Sequence, residues 1–214
     1  MEGMLQAVGL AHAFDYPLFD DLSLTLEAGS STAILGPSGS GKSTLLHILS
    51  SFIKPNQGKV FYNDHSLYES SDAQLQKIRR KEFGIIFQHH YLFRGFSAEE
   101  NLLVASLISG EQIDRSMLEA FGVGHLLKQP IQTLSGGQQQ RISIARVLTK
   151  RPRIIFADEP TGNLDTTTAS HVMQSVQEYI KQTGSSLFLV THDERLAATC
   201  DVAYRLESGR LIRL

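Results

Sequence analysis

The stretch Gly36-Pro37-Ser38-Gly39-Ser40-Gly41-Lys42-Ser43-Thr44 constrains this chain more than any other. It follows a compact apolar run, "STAILG", and opens "GKSTLLHILSSF", a helix whose Leu45, Leu46, Ile48 and Leu49 can face a core. A G-x-x-x-x-G-K-[ST] loop between a strand and a helix is a phosphate cradle. Its glycines let backbone N–H groups approach phosphate oxygens closely. Lys42 brings positive charge to the β and γ phosphates, and the Ser43 hydroxyl can ligate Mg²⁺.

Strand and helix signals alternate around this loop. "MLQAVGLAHAF", "LSLTLEAG" and "KVFYND" predict strands, "SDAQLQKIRRKEF" a helix with a Ser/Asp start, and "GIIF" a buried strand. From about 89 to 150 the pattern turns mostly helical, with "SAEENLLVASLI" opening on a Ser cap and "DRSMLEAFG" stopped by glycine. Alternation then returns as strand "RIIFAD", helix "TTTASHVMQSVQEYIKQTG", strand "SSLFLVTH" and helix "DERLAAT". In the long helix Ala169, Val172, Met173, Val176, Tyr179 and Ile180 recur at core-facing spacing. The expectation is one domain over 1–214, an α/β core with a helical lobe at about 89–150 inserted in it.

A second chemical site lies in Arg153–Pro160. The apolar run carries Asp158 to the C-terminal tip of a strand, where α/β ligands bind, and places it to hold Mg²⁺ through its water shell. Glu159 is then a candidate base, or a polariser, for an attacking water. His192 ends the next strand, placed to bond a γ-phosphate and to orient Glu159 or the water.

"TLSGGQQQR", 133–141, is another glycine-rich helix start, and such a terminus favours an anion. One P-loop already accounts for one triphosphate. The economical solution is a head-to-tail pair of chains, with Ser135, Gly136 and Gly137 of each facing the γ-phosphate held by the other's Lys42.

Taken together, these motifs resemble the ATP-binding subunit of ATP-binding-cassette (ABC) transporters, over essentially the whole chain. The family fold is a P-loop NTPase with a RecA-like core, an N-terminal antiparallel β part and an inserted helical subdomain. "LSGGQ", Leu134 to Gln138, resembles the family signature. By the same resemblance Gln88 in "IIFQ" is the lid glutamine, which reaches Mg²⁺ and the water and senses a membrane partner. Gly162-Asn163-Leu164-Asp165 matches the loop that contacts the opposite protomer's nucleotide site. Tyr16 in "FDYP" matches the aromatic that stacks on adenine, with Phe14 the alternative.

"IRRKEFGIIFQHHYLFRGFSAEENL" and "EPTGNLD" resemble the branch that releases lipoproteins, exports macrolides and serves a cell-division complex. The resemblance implies a peripheral subunit on the cytoplasmic side of the bacterial inner membrane. A membrane-spanning permease would contact it near Gln88 and the helical lobe, and ATP and Mg²⁺ would be its ligands. Two ATP would close two chains, and the swing of the lobe would reach the partner through the Gln88 region.

Composition narrows the alternatives. A formal net charge of −2 gives no long-range attraction to nucleic acid, which disfavours a soluble ABC ATPase acting on DNA or ribosomes. "KIRRK" at 77–81 reads as a solvated helix face. A small-molecule kinase or GTPase would leave "LSGGQ", Gln88 and His192 without roles. No window approaches the roughly 18 apolar residues of a membrane helix, and "MEGMLQAVGL" lacks the apolar core of a secretory signal. Cys200, the single cysteine, suits a buried inert thiol, and His89 and His90 belong near the partner-facing surface rather than to a metal site.

Overall fold

The computed structural model describes residues 4–162 and 164–214. Strands β1 (Leu5–Ala13) and β2 (Pro17–Leu26) form a hairpin, and β3 (Ser31–Leu35) feeds the glycine loop and α1 (Lys42–Leu49). Then come β4 (Gln57–Tyr62), the short β5 (His65–Ser66), α2 (Asp72–Lys81) and β6 (Phe83–Ile86). Three helices follow in succession: α3 (Ala98–Ser109), α4 (Arg115–Ala120) and α5 (Gly136–Thr149). The chain ends with β7 (Ile154–Asp158), α6 (Thr166–Thr183), β8 (Ser186–Val190), α7 (Glu194–Ala197), β9 (Val202–Glu207) and β10 (Arg210–Arg213).

The strands build an antiparallel sheet ordered β2-β1-β4-β5 and a six-stranded sheet ordered β10-β9-β3-β8-β7-β6. In the larger sheet β9, β3, β8, β7 and β6 run parallel, and β10 returns antiparallel. Successive side chains on a strand point to opposite faces, and this sheet is covered on both. On β7, Ile154 and Phe156 pack with α1, β1, β2 and β4, whereas Ile155 and Ala157 pack with α3, α5 and α6. On β8, Phe188 and Val190 join the first group, and Leu187 and Leu189 the second.

Parallel register brings the strand tips to one edge. Ile86 pairs with Ala157, Asp158 with Val190, and Val190 with Ile34. Gln88, Asp158, Glu159, His192 and the glycine loop therefore all emerge together, although they come from four separate segments. The helix α5 lies close against β6, because a β carbon on Gly84 would sit 2.7 Å from Cγ1 of Val147.

Several boundaries differ from expectation. No helix occurs between Phe87 and Ser97, so the helical region begins at Ala98 rather than near 89. Strand β2 starts at Pro17, five residues before "LSLTLEAG", which an edge strand tolerates because the missing proline N–H is not needed by a neighbour. The hairpin of β9 and β10 had no counterpart in the predicted pattern. In α2 no residue is buried, in line with a solvated face, although Arg79 turns back to donate to Ser51 Oγ at 2.9 Å. Burial pushes the Cys200 thiol up to about 11, which keeps it protonated and unreactive.

Candidate nucleotide-binding and catalytic site

The loop after β3 is shaped for an anion. Gly39 and Gly41 take φ of +80° and +97°, and a β carbon on Gly36 would lie 2.5 Å from the Leu206 carbonyl oxygen. Helix α1 begins at Gly41 with no side-chain cap and no acidic residue in its first turn. Its first N–H groups and its positive dipole end thus stay available to phosphate. Lys42 is 8% exposed, and its ammonium donates to the carbonyls of Gly36 at 2.9 Å and Pro37 at 2.8 Å. Two neutral carbonyls do not balance its charge, so phosphate fits this donor set.

Ser43 Oγ donates to Asp158 Oδ1 at 3.0 Å, which joins the glycine loop to the tip of β7. This hydroxyl–carboxylate pair, beside a cradle for phosphates, is an oxygen set of the kind Mg²⁺ takes with a nucleotide. The next residue, Glu159, has φ of +46°, in the left-handed region, and its N–H donates to the Val190 carbonyl at 2.9 Å. That anchored backbone directs the Glu159 side chain toward β8, where His192 Nδ1 donates to Oε2 at 2.9 Å. The Glu159 side chain is 16% exposed and that of His192 73%. Gln88 reaches the same turn, since a β carbon on Gly162 would lie 3.7 Å from its Nε2.

Lys42, Ser43, Gln88, Glu159 and His192 line one cleft of about 380 Å³, together with Ser38, Gly39, Gly41 and Thr44 of the loop. Phe14 and Tyr16 line it too, 58% and 59% exposed. Phe14 sets its ring edge-on to His12, with centroids 4.9 Å apart. Gly36 and Pro37 serve from behind, through the carbonyls that hold Lys42.

The signature residues do not line this cleft. Ser135 caps α5 and Gln138 completes a capping box: Gln138 N–H donates to Ser135 Oγ at 3.3 Å, and Ser135 N–H to Gln138 Oε1 at 2.8 Å. Ser135 and Gly136 are exposed, and a β carbon on Gly136 would meet nothing within 4 Å. Asp165 caps α6, accepting from the N–H groups of Thr167 at 3.1 Å and Thr168 at 3.0 Å. Hydrogen bonding from Thr168 holds its carboxyl below the usual carboxylate range. Asn163 lies outside the described residues.

Sequence reasoning missed two neighbours of the site. Thr191 Oγ1 reaches Glu159 Oε2 at 3.5 Å, and only its place before His192 hinted at it. Gln140 is buried, with its amide between His90 and the Pro160 carbonyl. His90, expected at the surface, is half-buried because its ring turns in to this amide, whereas His89 is exposed. A separate apolar groove of about 310 Å³ lies between α3, α5 and β6, lined by Phe52, Phe87, Phe93, Arg79, Arg146 and Lys150.

A phosphate cradle, Glu159 and His192 sharing one cleft, with the strand-tip Asp158 bonded to the cradle through Ser43, define a P-loop nucleoside triphosphatase built on a doubly covered parallel sheet. Residues 19–162 match the family described as ABC transporter, and the chain belongs to that family, as an ATP-binding ATPase subunit. It is similar to the lipoprotein-releasing system ATP-binding protein LolD of Shewanella oneidensis, 40% identical over 200 residues that cover 91% of this chain and 87% of the relative. The protein of that name from Xanthomonas axonopodis pv. citri is 40% identical over 204 residues, 92% of this chain and 84% of the relative. Among solved structures, a dimeric post-hydrolysis ATP-binding cassette bound to ADP and Pi has a TM-score of 0.87 at 30% identity, covering 98% of this chain and 97% of the other. A dimeric bacterial ABC transporter cassette has a TM-score of 0.88 at 30% identity, with the same coverage. The expected family, fold, ATPase activity and ATP ligand stand.

Proposed function

We propose that two copies of this chain close head-to-tail around two ATP molecules and thereby drive a membrane-spanning partner in a lipoprotein-releasing type of system. One observation carries the reading. The cleft that gathers Lys42, Glu159 and His192 lacks Ser135, Gly136 and Gly137, which stand at the start of α5 with Ser135 and Gly136 exposed. A second chain supplies them to the γ-phosphate, and hydrolysis weakens the pair by removing that contact. The similar solved cassettes described as dimeric support this arrangement. Gly162 to Asp165 would then face the opposite chain's nucleotide.

The residues divide the work. Phe14 and Tyr16 offer aromatic faces to adenine. The glycine-loop N–H groups and Lys42 bind the phosphates and take up charge as the γ-phosphoryl group transfers. Mg²⁺, when bound by Ser43, Asp158 and Gln88, supplies further positive charge to the phosphate oxygens. Glu159 accepts the proton of the attacking water. Nδ1 of His192 faces Glu159, leaving Nε2 for a γ-phosphate oxygen. With Glu159 ionised, donating through both nitrogens requires the imidazolium. Once Glu159 has taken the proton, the neutral ring with Nε2–H is sufficient.

The apolar groove beside α5 is the proposed seat of the partner, near Gln88 and the helical lobe that begins at Ala98 within a single domain. Tyr91, Phe93 and Phe96, 66%, 48% and 42% exposed, rim that side of the molecule. No helix among the described residues is long and apolar enough to cross a membrane. In this proposal attachment runs through that partner, at the cytoplasmic face of the bacterial inner membrane. The test is ATP turnover per chain against chain concentration. A rate that climbs with concentration to a plateau is expected, and a rate constant down to high dilution rejects the shared site.

A further inference from the structure

We propose that Gln140, backed by His90, is a positioning residue that holds the loop carrying Glu159 and ties it to the helix that bears Ser135. The inference rests on Glu159 being the base. Gln140 lies on α5 and is 1% exposed. Its Nε2 donates to the carbonyl of Pro160, the residue after Glu159, and its Oε1 accepts from His90 Nδ1. A carbonyl only accepts, so Pro160 fixes which end of the amide is the NH₂. His90 must then carry its proton on Nδ1.

Glu159 is consequently held from both sides of its strained backbone. Its own N–H is tied to Val190 on β8, inside the core, and the following carbonyl is tied to α5. His90 is in turn clamped to α5: its carbonyl accepts from Ser143 Oγ at 2.9 Å and Arg146 Nη2 at 3.3 Å. Residues 140, 143 and 146 follow one face of the helix. One buried amide thus joins the segment after Gln88, the Ser135 helix and the Glu159 turn. Filling the site with an apolar side chain would leave the buried Pro160 carbonyl without its donor.

Gln140 does not line the nucleotide cleft, so its loss should act on turnover and leave ATP binding alone. In the purified full chain, Gln140→Met is expected to lower kcat about tenfold, as for a displaced catalytic group, with KM for ATP unchanged. His90→Phe is expected to lower kcat by less. The double variant should be no slower than Gln140→Met alone, because both act through one chain of bonds. His90→Asn, whose amide donates from a similar position, should restore the rate. Should Gln140→Met fail to fold, the His90 pair still decides the question.

Parental kcat in Gln140→Met, losses that add in the double variant, or kcat and KM moving together would overturn the proposal. Glu159→Gln measured alongside separates the two claims. If it hydrolyses ATP at the parental rate, the base assignment fails. If it is inactive while Gln140→Met is normal, only the positioning role fails.

Discussion

Nδ1 of His192 lies 2.9 Å from Oε2 of Glu159, and the imidazole is far the more exposed of the two groups. The ring meets the carboxylate from the more exposed side of the pair, an arrangement that suits the proposed general base. Glu159→Gln keeps the shape and removes the proposed base. Turnover should drop by about 10²–10⁴, the range of general-base catalysis, while ATP-bound dimers accumulate. Gel filtration with ATP reads the dimer and phosphate release reads the rate. Parental turnover would disprove the assignment.

In the proposed pair, Ser135→Arg places a long cation where the start of α5 would approach the phosphate held by the other chain. The lost cap costs about 1 kcal/mol, too little to unfold a domain of this size. ATP-driven dimerisation should vanish, with nucleotide affinity of the monomer intact. Loss of monomer binding would instead place Ser135 against its own chain's nucleotide.

In the proposed site two aromatic rings are candidates to stack on adenine. Tyr16 matches the family pattern, yet Phe14 is the ring already braced, edge-on to a buried His12. A braced ring loses less freedom on binding, so Phe14→Ala should weaken ATP binding more than Tyr16→Ala, by about 1 kcal/mol of stacking. Titration with a fluorescent ATP analogue ranks the pair, and the reverse order returns the base to Tyr16.

Lys150 gives a pH signature unrelated to catalysis. Burial lowers its ammonium from 10.5 to about 8, although it donates to the carbonyls of Arg79 at 2.8 Å and Phe83 at 2.7 Å. Between those values the unfolded chain binds a proton that the folded chain does not, so stability rises with pH across that window. At roughly 1.4 kcal/mol per unit the gain is about 3 kcal/mol. Denaturation midpoints at pH 8 and pH 10 should show the rise in the parent and a flatter response in Lys150→Met. Equal slopes in both would refute it.

What was legible in the sequence was what sits in short contiguous runs. The glycine loop, Asp158-Glu159 and His192 each follow a readable strand, and parallel register brings them together. What escaped depends on contacts distant in the chain. Strand β9 is mostly half-buried and has no strong period; it forms because it pairs with β3, Thr32 opposite Val202, and because Asp201 accepts from Ser31 N–H at 2.7 Å. The three glutamines at 138–140 are identical letters with different tasks. Gln138 completes a cap, Gln139 donates to the Leu134 carbonyl, and Gln140 turns inward to Pro160. Only the rotation of α5 against its neighbours tells them apart. Asp165 likewise reads as a contact to another chain, while the fold also employs it to start α6.

The alternation along β7 and β8 makes the large sheet a bulkhead between two compartments. Beneath it, α1 and the N-terminal strands bed the phosphate loop, and above it the helices meet the outside world. Exposed side chains on the upper deck can be exchanged to suit a different docking companion without entering the core that beds the phosphate loop, as long as the inward-turned Gln140 is kept. A chain laid out this way can change allegiance and keep its fuel.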